Sequence, residues 1–158
     1  MTRWLRKPCG TMSLWPIQSW AALEMGELRG LFASIRVSGG KTLITGIAPT
    51  VLDAKRPLLI VPANMIKSGQ TEAALEDLRL HWYIPRELKI VSYSKLGTLK
   101  HADFLEGYAP DLIIADEAQK IRNIYEAACA IKVRRYLEEI NPACAFIGLS
   151  GTDRKSVV

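Results

Sequence analysis

Cysteine and histidine are scarce in this chain. The three cysteines, Cys9, Cys129 and Cys144, lie far apart and form no C-x-x-C pair, and the two histidines, His81 and His101, are isolated. An odd, sparse set of thiols argues against a disulfide framework and a zinc site, and for a reducing cytosol. Neither histidine is assigned a metal. Long apolar runs are missing as well. Arg3, Arg6 and Lys7 are not followed by a continuous apolar stretch, so neither a signal peptide nor a membrane span is expected. There are no repeats, no low-complexity tract and no obvious linker. What is there is ordinary for a globular chain: 158 residues, 49% hydrophobic and 23% charged, enough for one domain with a real core. The net charge of +5 and pI near 9.2 suit a polyanionic partner, but the signal is weak, because many basic proteins bind no nucleic acid. The Lys and Arg residues are spread along the chain, so no basic stripe can be located.

Five short apolar runs read as strands: Leu31 to Ile35, Leu58 to Val61, Leu88 to Val91, Leu112 to Ala115, and Ala145 to Leu149. Helical patterns separate most of them. Lys41 to about Ala48 reads as a helix that Pro49 ends or kinks. Thr71 to Leu80 has Thr71 as a plausible cap, with Glu72, Glu76 and Asp77 facing out. Tyr125 to Ile140 is the clearest amphipathic pattern, with Ile124, Ala128, Ile131, Val133, Leu137 and Ile140 as its apolar stripe and Asn141-Pro142 as its stop. Strands alternating with helices predict βαβ units, hence an α/β fold with a mainly parallel sheet.

The run Leu112-Ile113-Ile114-Ala115 leads straight into Asp116-Glu117-Ala118-Gln119. An unalternated apolar run is the pattern of a strand buried on both faces, and open α/β sheets place their chemistry at the C-terminal ends of such strands. Two adjacent acids there are costly unless a cation uses them; magnesium and a polarised water are the usual reason. Upstream, Gly39-Gly40-Lys41-Thr42 follows a strand and opens a helix. Glycines let backbone N–H groups line a concavity, lysine carries a mobile charge to the β- and γ-phosphates, and Thr ligates magnesium. The full G-x-x-x-x-G-K-S/T pattern is not met. Ile35 stands at the first glycine, Ser38 where a second is common, and Arg36 is unusual. The bland reading is a Gly-Gly turn with a surface lysine; the acids downstream favour a phosphate loop and an ATP site.

Loop and acids together resemble the first RecA-like lobe of superfamily 2 helicases and translocases, over nearly the whole chain and in the right order. Asp116-Glu117-Ala118-Gln119 looks like the DEAD/DEAH-type Walker B motif, and the extension Lys120-Ile121-Arg122-Asn123 looks closer to Swi/Snf-like translocases. Trp15-Pro16-Ile17-Gln18 resembles the Q motif, Leu59-Ile60-Val61-Pro62-Ala63 motif Ia, Val91-Ser92-Tyr93-Ser94 the Ib-like segment, and Leu149-Ser150-Gly151-Thr152 motif III. The resemblance implies a three-layer RecA-like P-loop NTPase domain that binds ATP and magnesium. Gly39, Gly40, Lys41 and Thr42 would hold phosphates; Thr42 and Asp116 would hold the metal; Glu117 would orient or deprotonate the attacking water. Gln18 would meet an adenine edge. Its bland alternative is an exposed residue at a helix start. Gln119 would sense the γ-phosphate or contact motif III, and Ser150, Gly151 and Thr152 would couple hydrolysis to movement, unless Ser150 and Thr152 only cap the turn. Pro62, Asn64, Lys67 and Ser94 are candidates for touching nucleic-acid phosphates, DNA ahead of RNA. Lys67 reads equally as a solvated charge, and Trp82 and Tyr83 more readily as packing than as stacking platforms.

In this family ATP lies between two RecA-like lobes, and the second lobe brings arginines. Residues 1–158 are expected to form the first lobe alone, with Arg154 and Lys155 too close to motif III to replace those arginines. A second lobe from a missing region or a separate chain is the implied partner, and the lobe by itself is expected to be weakly active or inactive. The expected location is the cytoplasm of a bacterial or phage-infected cell. Two other readings stay open. One is a P-loop ATPase of packaging-motor or kinase type, which needs neither Ser150-Gly151-Thr152 nor Gln18. The other is a non-catalytic module that binds nucleic acid or a partner through a degenerate loop.

Overall fold

The computed structural model describes residues 1–36, 39–98, 103–119 and 124–151. The five strands are β1 (Gly30–Ser34), β2 (Pro57–Val61), β3 (Lys89–Ser92), β4 (Leu112–Asp116) and β5 (Ala145–Ser150). All pair in parallel, in the order β1-β5-β4-β2-β3. The apolar runs lie within a residue of these bounds. Their relative hydrophobicity also follows position: β2, β4 and β5 are the central strands and are buried almost throughout, whereas β1 and β3 form the edges and expose Phe32 and Lys89.

The helices are α1 (Thr2–Leu5), α2 (Pro16–Leu28), α3 (Lys41–Leu52), α4 (Ala63–Ser68), α5 (Gln70–Arg79), α6 (Tyr93–Gly97), α7 (Phe104–Tyr108) and α8 (Ile124–Arg135), the last continued by a π-helical turn, Tyr136–Ile140. Because side chains alternate along a strand, each central strand feeds two cores. Leu59, Val61, Leu112, Ile114, Ile147 and Leu149 pack beneath α2, α3 and α5. Leu58, Ile60 and Ile113 pack on the other side with Tyr93, Leu96, Leu105, Cys129, Val133 and Tyr136. The result is the expected three-layer α/β arrangement. Among the described residues no helix is long and apolar enough to cross a membrane.

Three local expectations need correction. Pro49 does not end the helix at Ala48; α3 runs on to Leu52 with Pro49 inside it. Proline removes one N–H and so one bond, and burial of Pro49 and Leu52 outweighs that loss. Thr71 is not a cap. Gly69 (φ 63°) ends α4 and starts α5, so Thr71 falls in the first turn, buried, with its hydroxyl unpartnered. Of the stripe expected on α8, Val133 is buried and Leu137 packs partly against the core, but Ala128, Ile131 and Ile140 are exposed, and Cys129 and Tyr136 complete the buried face. The Lys132 ammonium donates to the carbonyls of Leu96 (3.0 Å) and Thr98 (2.8 Å). Burial, aided by Asp111, pushes the Cys144 thiol up to about 12.

The turn from α3 into β2 depends on Asp111 at the start of β4. Its carboxylate accepts from the N–H groups of Lys55 (2.6 Å) and Arg56 (2.9 Å). Asp111→Ala is expected to cost about 1–2 kcal/mol, because water can replace part of these exposed bonds. Thermal unfolding should then move down by roughly 2–8 °C, and an unchanged melting curve would refute the assignment.

Candidate functional site

The strand order positions the site. The chain goes from β1 to β2 and out to β3, then returns to insert β4 and β5 between β2 and β1. The loop after β1 and the turn after β4 therefore meet over the C-terminal end of β5, the kind of crevice where open parallel sheets bind ligands.

The loop side begins at Ile35. Its N–H donates to the Ser150 carbonyl (2.8 Å) and its side chain is buried, so the residue at the missing glycine extends the strand. Ser38 lies outside the described residues. Gly39 is required by space: a Cβ there would lie 2.9 Å from the Arg36 carbonyl. Gly40 is required by conformation, with φ 79° as the N-cap of α3. Lys41 and Thr42 are the first residues of α3, so their N–H groups lack carbonyl partners one turn earlier. That terminus, with its positive dipole end, suits an anion.

On the acid side, Asp116 Oδ1 accepts from the Glu117 N–H (3.0 Å). Glu117 has φ 58°, a left-handed conformation that costs a non-glycine residue on the order of 1–3 kcal/mol. It turns the carboxylate toward the loop, where Lys41 Nζ sits 3.2 Å from Glu117 Oε1. Both side chains are mostly buried. Gln119 Nε2 donates to Glu117 Oε2 (2.6 Å), while its Oε1 is buried without a partner. Gly151 closes the cluster. A Cβ on it would collide with Lys41 Nζ and come within 3.0 Å of Glu117 Oε1.

Lys41, Glu117, Gln119 and Gly151 are thus in one cluster, with Asp116 beside it through the Glu117 N–H. Ser150 is buried under it and offers its carbonyl to Ile35. Thr152, and the segment Lys120-Ile121-Arg122-Asn123, lie outside the described residues. Thr42 is exposed and lines a cavity of about 370 Å³ with Met12, Trp15, Gln18 and Leu78. Gln18 is buried rather than exposed. Its Oε1 accepts from the Trp15 N–H (2.8 Å), and its Nε2 lies against Gly40, so one amide braces both the start of α2 and the loop.

The other candidates lie apart from this cluster, past the ends of β2 and β3. Val61 pairs with Ser92, so both segments leave the sheet side by side. Pro62 is buried as the N-cap of α4; Asn64, Lys67 and Ser94 are exposed. Ser92 Oγ caps α6, accepting from the Lys95 N–H (3.1 Å), and lies 3.2 Å from Ser94 Oγ. Trp82 is fully buried and Tyr83 half exposed. Sequence reasoning placed Tyr93 in the Ib-like segment but gave it no role; its hydroxyl donates to the Asp116 carbonyl (2.7 Å). No local pattern signals a bond between segments so far apart in the chain.

Among the described residues no group of three or more His, Cys, Asp or Glu side chains could hold a metal by itself. The oxygen donors present, the Asp116 carboxylate and the Thr42 hydroxyl, fit a magnesium ion, which takes one or two protein ligands and completes its shell with phosphates and water.

Neither a protein-family model nor a curated protein sequence matches this chain. The crystal structure of the Escherichia coli DEAH/RHA helicase HrpB is similar, with a TM-score of 0.62 and 13% identity, over 86% of this chain and 19% of that one. The chain thus spans about a fifth of that helicase. At this identity the likeness is one of fold alone, a RecA-like three-layer α/β domain with a five-stranded parallel sheet.

Proposed function

We propose that this chain is the ATP-binding lobe of a nucleic-acid helicase or translocase. The observation that carries the reading is the Lys41–Glu117 ion pair between a helix-opening glycine loop and the end of a buried strand. A mostly buried lysine facing two acids at the C-terminal end of a central strand is an arrangement that phosphoryl transfer needs. In the resting lobe Glu117 holds Lys41. When phosphates enter, the lysine turns to them, aided by the N–H groups at the start of α3. Glu117, released from Lys41 and still oriented by Gln119, is then free to accept a proton from water. Magnesium, held by Thr42 and Asp116, would neutralise charge on the β- and γ-phosphates. The apolar cavity beside Trp15 and Gln18 would take the base, with the Gln18 amide as its polar group.

Asn64, Lys67 and Ser94, exposed beyond β2 and β3, would contact a nucleic-acid backbone, and Pro62 would set the direction of that segment. A second RecA-like lobe would supply the arginines that complete the catalytic site. The test is calorimetry of magnesium-ATP with the wild-type chain. Saturable binding of about one nucleotide per chain is expected. A folded chain that takes up no nucleotide would overturn the reading in favour of a binding module.

A further inference from the structure

We infer that Tyr93 is a positioning residue for the acid pair: its hydroxyl holds the Asp116–Glu117 peptide in the orientation that presents Asp116 to magnesium and Glu117 to Lys41. The inference rests on the proposed nucleotide site and adds a residue to it. Tyr93 leaves the sheet at the end of β3, and β2 separates that strand from β4. Strand spacing puts β3 and β4 roughly 9–10 Å apart, a span a tyrosine can bridge and a shorter polar side chain cannot. The ring crosses the end of β2 and ends on the Asp116 carbonyl at 2.7 Å.

Both ends of this strut are fixed. Tyr93 is 1% exposed and packs in the core with Leu58, Ile60 and Leu96. Its backbone begins α6, which the Ser92 hydroxyl caps. The carbonyl it binds belongs to the peptide that enters Glu117, where the backbone is left-handed. A strained conformation at the end of a strand persists only where its surroundings over-determine it. The hydroxyl is one such constraint, and the Glu117 N–H on Asp116 Oδ1 is another. Ser94 adjoins Tyr93, so the strut also joins the segment proposed to touch nucleic acid to the carboxylates.

Tyr93→Phe removes only the hydroxyl and keeps the ring in the core. The first measurement is the ratio of ATP affinities with magnesium and with chelator, compared with wild type and Asp116→Asn. The loop grips phosphates with or without metal, so affinity in chelator should stay within about twofold. The magnesium enhancement should fall at least fivefold, toward that of Asp116→Asn. An enhancement equal to wild type, where Asp116→Asn loses it, overturns the positioning role and leaves the nucleotide site standing. If wild type binds no nucleotide, the site itself fails. The strut is then judged by hydrogen exchange without ligand. Tyr93→Phe should exchange severalfold faster in the peptide covering residues 112–119 and unchanged in α3. Equal exchange in that peptide overturns the strut.

Discussion

Lys41→Ala will lower the affinity for magnesium-ATP by roughly 10- to 100-fold. A charge-assisted hydrogen bond contributes about 1.5–3 kcal/mol, and each 1.4 kcal/mol is a factor of ten in affinity. The lysine meets the conditions for a value inside that range. It stands at the first position of α3, it is 14% exposed, and among the described residues its side-chain partner is one carboxylate oxygen 3.2 Å away. Incoming phosphates therefore replace one anionic partner by several. Among the described residues, the same substitution leaves the Glu117 carboxylate, 26% exposed, with Gln119 as its remaining side-chain donor. Lys41→Ala should consequently bind less tightly without becoming much less stable, since Glu117 can recruit water. Calorimetry and a thermal melt on the same sample separate the two effects. Undiminished ATP affinity in a folded variant would show that the loop does not hold phosphate through this lysine.

The second large effect is expected at Gly40. Alanine there meets two costs. Its φ of 79° lies in the left-handed region, worth about 1–2 kcal/mol against an L side chain. Its Cβ would also press on the Gln18 amide, 3.2 Å from Cδ and nearer still to Nε2. Gln18 cannot yield freely, because its Oε1 is tied to the Trp15 N–H. Overpacking of this kind costs typically about 1–3 kcal/mol, so Gly40→Ala should unfold roughly 5–15 °C below wild type. Gly69→Ala is the natural control. It has a similar φ of 63° but nothing within 4 Å of the added Cβ, so it carries the strain without the collision. A Gly40→Ala variant no less stable than Gly69→Ala would mean that Gln18 does not brace the loop.

Much of the fold was legible in the sequence, for a reason visible in the central strands. Leu58 to Val61, Leu112 to Ala115 and Ala145 to Leu149 are apolar on both faces, and only a strand covered on both sides can use such a run. The loop and acids were legible because their requirements are local. Glycine serves where the backbone is left-handed or crowded, lysine and threonine open a helix, and acids end a buried strand. Helical faces were less legible. The apolar stripe along residues 125–140 caught Val133 but also took in Ile131 and Ile140, which are exposed, and left out Cys129 and Tyr136, which the tertiary structure buries. Pro49 was misread for a related reason: a local rule about helix ends was overridden by the burial of the turn that follows it.

By itself, then, the sequence determined the strands, the glycine loop and the residue types at the site, since each answers to its immediate neighbours. Only the tertiary structure decided the strand order, the pairing of Lys41 with Glu117, the bracing of Gly40 by Gln18 and the reach of Tyr93 across β2 to Asp116. Those contacts join residues distant in the chain. Their geometry depends on how β4 and β5 insert between β1 and β2, which packing of both sheet faces selects and no local pattern encodes.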